Sequence, residues 1–305
     1  MKRTVINAFA AVALFVATAF SASAQVKQYS NDVSAFYSLN ASNDFEVTVV
    51  DGSAYNVVLT VDEAYKEYVV CNVTNQTLNI FLDEKKVPKE VKNLYKGKNA
   101  PVPTFKATVT TPESLQNISI NDKVVLYYTI EKAGMNEVKV SADGHSVIKQ
   151  LTIGSPRASI NMDRHASGIV DTYCNEVEVV MAGNASLTLN AKQTSLLNLN
   201  VTKGASIVTN GDAENVKVIA GGTSKSALNG VAGNGDFNIQ GSANVNAANL
   251  TLENAKVNMN SLCTLTIAPA ASLVIDALNA GATLNYSGDP HVTIGVITKS
   301  NVNRK

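Results

Sequence analysis

Asp163, Arg164 and His165 are consecutive, and Asp171 follows shortly after. A carboxylate, a guanidinium and an imidazole so close together could hold a metal ion or move a proton. The same residues also make an ordinary polar bend between two strands, and that plainer reading is the expected one. His145 and His291 stand in Asp-Gly-His and Asp-Pro-His, both of turn character. Three histidines this far apart have no metal-ligand spacing. Glycoside hydrolysis needs two carboxyls across a cleft, and lyase chemistry needs a base, often with a carboxylate-held cation. The acidic residues of the second half, from Asp163 to Asp289, are scattered. Only stacking of distant segments could bring them together. No Gly-x-Ser-x-Gly, phosphate-binding loop or dinucleotide fingerprint is present. No catalytic, cofactor-binding or metal residue is therefore assigned, and no cofactor is expected.

A second chemical candidate is basic. Between about 83 and 106 the chain carries Lys85, Lys86, Lys89, Lys92, Lys96 and Lys98, with Pro88, Pro101 and Pro103. Val87, Val91, Leu94 and Tyr95 suggest a short amphipathic helix inside this stretch. It could attach to an acidic glycan or a phosphate-bearing surface. The plainer reading is a solvated loop, because charge runs usually face water. Cys71, Cys174 and Cys263 are too far apart for a metal-type pair. They allow at most one internal disulfide, and burial as small apolar residues is the expectation.

The surrounding elements are β-rich by composition. Trp is absent and aromatics make up 6% of the chain. Asn, Val, Ala, Ser and Thr dominate the second half, which suits pleated strands and tight turns. Lys+Arg and Asp+Glu balance at 25 each, so no global basic field attracts nucleic acid. Lys2 and Arg3, the apolar run Val5 to Phe20 and the small residues Ala22-Ser23-Ala24 have the order of a secretory signal peptide. Cleavage is expected near Ala24/Gln25. No other stretch is apolar for long enough to cross a membrane as a helix.

After the export segment, Phe45, Val47 and Val49 alternate with polar residues. Tyr55, Val57, Leu59 and Val61 alternate again after Asp51-Gly52, which reads as a hairpin. A helical turn over 62–66, strands over 68–73 and 78–82, and a strand resuming at Phe105 complete this region. From about 116 a unit recurs: apolar-x-apolar, a Gly or small residue, then apolar again. Val177 to Phe237 contains it at about 20-residue spacing, and later units look shorter and irregular. No unit can bury its apolar face alone, so stacking is required, with two short strands and a Gly-centred bend per unit. Asn190, Asn210, Asn215 and Asn254 fall in the expected bends, where Asn can also stack in hydrogen-bonded ladders. Lys225 to Asp236 is a worn unit and reads as an extra loop. Lys299-Ser300-Asn301 reads as an end cap.

Three features resemble the head GIN domain family, described as autotransporter-adhesin heads. They are the opening strands 45–49 and 55–59, the units such as Leu199-Asn200-Val201-Thr202-Lys203-Gly204-Ala205-Ser206, and the ending Gly281 to Pro290 with its Tyr-x-Gly-x-Pro. The resemblance implies a right-handed parallel β-helix-like fold and an adhesive or structural role. The family assigns no catalytic residues. The expected fold is thus all-β, a solenoid stack with an N-terminal β region. Its parts are the signal peptide 1–24, the region 25–115 with the insertion at about 83–106, and the repeats 116–305, the last two allowing one continuous domain. The expected function is non-enzymatic binding, adhesion or structure in the envelope, at the periplasm or cell surface. The expected partners are a glycan or an envelope or matrix protein, without nucleic acid and without a transmembrane segment; exposed strand ends allow homo-oligomers. The alternatives are a polysaccharide-degrading enzyme on the same fold and a periplasmic scaffold.

Overall fold

The computed structural model describes residues 25–134 and 136–305; the expected export segment, residues 1–24, lies outside them. The described chain is a β-solenoid built on two parallel ladders between which it alternates. One ladder stacks Ser38–Ala41, Asn117–Ile120, Glu137–Ala142, Arg157–Met162 and Glu176–Met181. The other stacks Glu46–Asp51, Val125–Tyr128, Val147–Gly154 and Ser167–Tyr173.

From Ser186 onward the strands are longer than the two short strands expected per unit. Ser186–Val201, Ser206–Ala220, Lys225–Gln240, Asn244–Asn260 and Thr264–Asn279 run 15 to 17 residues each. The first half of each lies in one ladder and the second half in the other. The chain rounds this second corner within one continuous strand, through positive-φ residues at Gln193, Gly211 and Gly230 and small residues such as Ala213 and Ala232. The stretch expected as an extra loop at 225–236 is one of these strands. Gly235 is filled from the side, since a Cβ there would lie 2.6 Å from the Phe237 ring.

The repeat is also more regular than it looks in sequence. Ser186 pairs with Ser206, Ser206 with Lys225, Lys225 with Asn244, Asn244 with Thr264 and Thr264 with Thr283, steps of 19 or 20 residues. The irregularity of the later units is absorbed as register shifts around 247–258. The first corner repeats as well. Asn43, Asp122, Gly144, Arg164, Gly183, Lys203, Gly222, Gly241, Ser261, Ala280 and Lys299 all have positive φ there, between 50° and 75°.

Inside, the alternation of each strand is converted into columns along the stack. Leu39, Ile118, Val140, Ile160, Val179, Leu199, Val218, Phe237, Val257 and Ile275 follow one another in register and are all buried. Burying each such side chain contributes on the order of 1.5–3 kcal/mol.

The N-terminal end is where the structure departs most from the expected pairings. Glu46–Asp51 and Asn56–Asp62 do not form a hairpin. Phe105–Thr111 lies between them, parallel to the first and antiparallel to the second. Its alternating Phe105, Ala107, Val109 and Thr111 are buried, so it satisfies both neighbours at once. Thr77–Leu82 likewise stacks on Ser38–Ala41. These two strands complete a coil outside the first one, and antiparallel Val69–Thr74, Asn56–Asp62 and Val26–Asp32 cover it. The expected short helices are present as a 3-10 helix, Glu63–Tyr68, and an α-helix, Lys89–Leu94. At the other end Lys299 is a corner residue and Asn301–Arg304 pairs with Thr283–Tyr286, so the tail extends the stack and does not cap it. All three cysteines are free; Cys174 and Cys263 are buried, and burial pushes the Cys71 thiol up to about 11.

Gly230 shows how tightly the coils stack. Its φ is +123°, and a Cβ there would sit 1.8 Å from the Gly211 carbonyl oxygen. Gly97 has a similar φ of +127° with nothing within 4 Å. Gly97→Ala should cost only backbone strain, about 1–3 kcal/mol. Gly230→Ala should cost clearly more, read as a larger drop in denaturation midpoint. Equal effects of the two would show that the stacked corner yields freely.

Candidate functional site

The corner that carries the chain from the second ladder back to the first forms one long edge of the solenoid, and a groove runs along it. Its first part, a cleft of about 700 Å³, is lined by Glu131, Gln150, Asp171, Tyr173 and Asn175 with the backbone around Gly154. Its second part, about 670 Å³, lies further along the same edge and is lined by Gln193, Ser195, Asp212, Glu214, Val231 and Asn234. Tyr173 and Lys192 are register partners in consecutive coils and stand where the two parts meet.

Strand parity places these side chains. In Ser167–Tyr173, Val170 and Thr172 point inward and are buried, so Ile169, Asp171 and Tyr173 point outward. Tyr173 is 48% exposed. Lys192 Nζ donates to the Tyr173 hydroxyl at 3.1 Å and lies 5.1 Å from its ring centroid. The hydrogen bond to Tyr173, aided by the nearby Asp171 carboxylate, raises the Lys192 pKa, so it stays cationic. An amphipathic ring held from one side by a cation leaves its remaining surface for a ligand.

Asp171 ends a ladder of amides. Asn190 Nδ2 donates to Asp171 Oδ1 at 2.6 Å, Asn210 to Asn190 at 2.9 Å, Asn229 to Asn210 at 3.1 Å and Asn249 to Asn229 at 3.3 Å. Every amide points the same way, toward the carboxylate, so the bonds can polarise one another. A second ladder lies on the far side of the corner: Asn254 donates to Asn234 and Asn234 to Asn215, at 3.2 and 3.0 Å. The asparagines flagged in the sequence thus act mainly as structural rails beside the groove. Asn190, Asn210, Asn215 and Asn254 all lie within continuous strands and not in the expected bends.

The expected cluster of Asp163, Arg164, His165 and Asp171 is divided. The first three sit on the opposite, left-handed corner. Asp171 lies along an extended strand from them, roughly 20 Å at the usual strand rise. Arg164 forms an ion pair with Asp143 of the preceding coil. His165 stacks on His145, with ring centroids 4.8 Å apart and planes 4° from parallel, and Asn184 Nδ2 lies 3.3 Å from its Nε2. No group of three or more possible metal ligands converges among the described residues.

The basic candidates lie at the N-terminal end, in an insertion whose start is tied to the first-corner residue Asn43 by its hydrogen bonds with Leu82 and Glu84. Lys86 pairs with Asp83 at 2.9 Å, and Lys92 Nζ donates to the Glu84 carbonyl at 2.7 Å. Lys85, Lys89, Lys96 and Lys98 are exposed.

Glu131, Gln150, Tyr173, Asn175 and Lys192 were not visible as a site in the sequence. The available signals were the repeated Asn-Gly at 210–211 and 229–230, which fixes the second corner, and the outward parity of Tyr173.

A family model described as "Putative auto-transporter adhesin, head GIN domain" matches residues 35–196 and 192–290. No curated protein matches the chain. A solved structure called a putative lipid binding protein, from Parabacteroides distasonis, is 16% identical; the match covers 92% of this chain and 96% of that one, with a TM-score of 0.47. A putative adhesin from Parabacteroides merdae is 15% identical over 92% and 96% of the two chains, with a TM-score of 0.45.

The Arg164–Asp143 pair makes a pH prediction. The guanidinium hydrogen bond, aided by the Gly144 amide and by charge attraction, holds the Asp143 carboxyl below its ordinary value despite some desolvation. A depressed folded-state value stabilises the fold above the ordinary carboxylate range, and that contribution is lost as pH falls through the folded value. In Arg164→Gln, carbon-detected NMR titration should show Asp143 moving up toward its ordinary value. The stability gap between wild type and variant should close toward acid. An unmoved Asp143 would mean the pair is not populated in solution.

Proposed function

The chain belongs to the head GIN domain family, whose model it matches over most of its length, and from that premise we propose that it is an exported envelope protein whose edge groove binds a glycan. The observation that carries this reading is the exposed Tyr173 ring, braced by Lys192, in a groove lined with Glu131, Asp171, Gln150 and Asn175. Sugar rings present flat C–H faces that stack on aromatic rings and hydroxyls that bond to carboxylates and amides. Four carboxylates, Glu131, Asp171, Asp212 and Glu214, line the groove. They disfavour anionic chains, so the ligand class is a neutral or N-acetylated oligosaccharide. The length of the groove along consecutive coils suits a linear polymer more than a monosaccharide.

Export rests on the pattern of residues 1–24, which calls for delivery beyond the inner membrane. No described helix is long and apolar enough to cross a membrane. In this reading residues 25–305 act as one continuous unit, with the N-terminal strands serving as the closed end of the stack.

Glycan arrays carrying neutral, N-acetylated and anionic oligosaccharides, probed with wild type and Tyr173→Ala, test the binding reading. Neutral or N-acetylated chains should bind, and loss of the ring should weaken them about tenfold, as expected for an aromatic anchor worth 1–2 kcal/mol or more. Binding that survives the substitution would move the site elsewhere on the molecule. Release of new reducing ends from a bound chain, abolished by Glu131→Gln or Asp171→Asn, would instead favour a hydrolase. Protease shaving of intact cells should remove the protein while a periplasmic control survives; full protection would leave a periplasmic role and sink adhesion.

A further inference from the structure

The insertion over 83–104 has a construction that the groove does not explain. Here the segment joining the two ladders of the outer coil, from Leu82 to Phe105, swells into a separate element with the α-helix Lys89–Leu94. It is held firmly from below. Val87 is buried, and Val91 and Tyr95 pack against the core, so the positions spaced by four face inward. The Tyr95 ring lies 5.1 Å from the Tyr65 ring, and the Thr104 amide donates to the buried Asp62 carboxylate at 2.7 Å.

The outward side combines charge with exposed apolar surface. Lys85, Lys89, Lys96 and Lys98 are exposed, and none of them is in an ion pair among the described residues. Of the acids in the same stretch, Asp83 is engaged by Lys86 and Glu84 accepts a hydrogen bond from Asn43 at 3.2 Å, leaving Glu90. Among the lysines stand Leu94, 60% exposed, and Val102, 86% exposed between two prolines.

We propose that this insertion docks the N-terminal end of the solenoid on a bilayer surface bearing anionic phosphate headgroups, with the lysines on the phosphates and Leu94 and Val102 entering the interfacial layer. The mixture of groups selects this partner. An acidic polysaccharide would take the lysines but leave Leu94 and Val102 in water. A headgroup layer receives both, as it does at other interfacial segments with basic and apolar residues. Lysine stems can also lie along the apolar boundary while their ammonium groups stay hydrated. The anchoring of Val87, Val91 and Tyr95 means that little ordering is required on contact.

The test is co-sedimentation of the purified protein with vesicles of phosphatidylcholine alone and of phosphatidylcholine mixed with phosphatidylglycerol. Binding should require phosphatidylglycerol and weaken as salt rises, because screening shortens the reach of the lysines. Lys85→Glu/Lys89→Glu/Lys96→Glu/Lys98→Glu should lower partitioning at least about tenfold, since each basic residue near an anionic surface contributes separately. Leu94→Asn/Val102→Asn should lower it by a smaller factor that persists at high salt. All six positions are exposed, so both variants should melt as wild type does. Absence of vesicle binding, or binding that neither variant changes, overturns the proposal. Capture by dextran sulfate without vesicle binding would assign the surface to an acidic polymer and overturn it equally. Competition by free glycerol phosphate as strong as that by vesicles would make the ligand a soluble phosphate. Because the groove is untouched in both variants, failure here leaves glycan binding by Tyr173 intact, and the reverse also holds.

Discussion

From the coil that holds Ser38–Ala41 and Glu46–Asp51 onward, each coil turns at the same place through a residue in left-handed backbone. Eleven such residues, from Asn43 to Lys299, form the first corner. The close stacking of these turns limits what can stand in them: a Cβ on Gly183 would meet the Arg164 backbone at 2.6 to 2.8 Å. Yet Arg164 and Lys203 themselves adopt φ of 56° and 58°. Side chains other than glycine are accepted at a cost typical of uncommon backbone regions, and the regular pairing on either side over-determines the turn. Because the turn is fixed, the inward parity of both flanking strands is fixed, and the apolar columns follow from it.

The two corners then divide the work. The first is tight and local, and its exposed side chains pair with those one coil away: Arg164 with Asp143, His165 with His145. The second lies inside continuous strands, and its amides join into rails that span several coils. A carboxylate at the end of such a rail is fixed in orientation by its Asn190 partner. That is why Asp171 can face the groove with defined geometry although it sits on an exposed edge. Position on the rigid ladder, and not on a loop, is what brings residues scattered in sequence to one edge of the stack.

The sequence conveyed the period and the parity but not the neighbours. Alternation at Val177, Val179, Leu197 and Leu199 is a local property, so the stacked strands were legible. The Asp51-Gly52 hairpin was the natural local reading, and it fails because Phe105–Thr111, more than fifty residues away, inserts between the two strands and pairs with both. No local signal reports such a competition. The residues Asp163 to Asp171 are divided for a related reason. Closeness in sequence along an extended strand is distance in space, whereas residues 19 or 20 apart, such as His145 and His165 or Tyr173 and Lys192, are the true neighbours.

The ends of the stack differ in a way that follows from the same pairing rules. At the N-terminal end, three antiparallel strands cover the outer coil, and antiparallel pairing lets a chain reverse and close a stack with short turns. Asn75 and Gln76, with φ of 50° and 58°, make one of those reversals. The last coil described, His291–Thr298 with Asn301–Arg304, keeps the parallel pattern, so Ile294, Val296 and Ile297 remain exposed where their counterparts Ile275, Ala277 and Leu278 have a further coil above them. Closure by reversal has a second effect. It obliges the chain to connect Thr77–Leu82 to Phe105–Thr111 over the outside of the stack, and that connection is the lysine-bearing insertion. The insertion sits on the end face, while the groove runs along the side. A stack held by its end face would therefore project its groove away from the supporting surface, and the number of coils would set how far the groove extends.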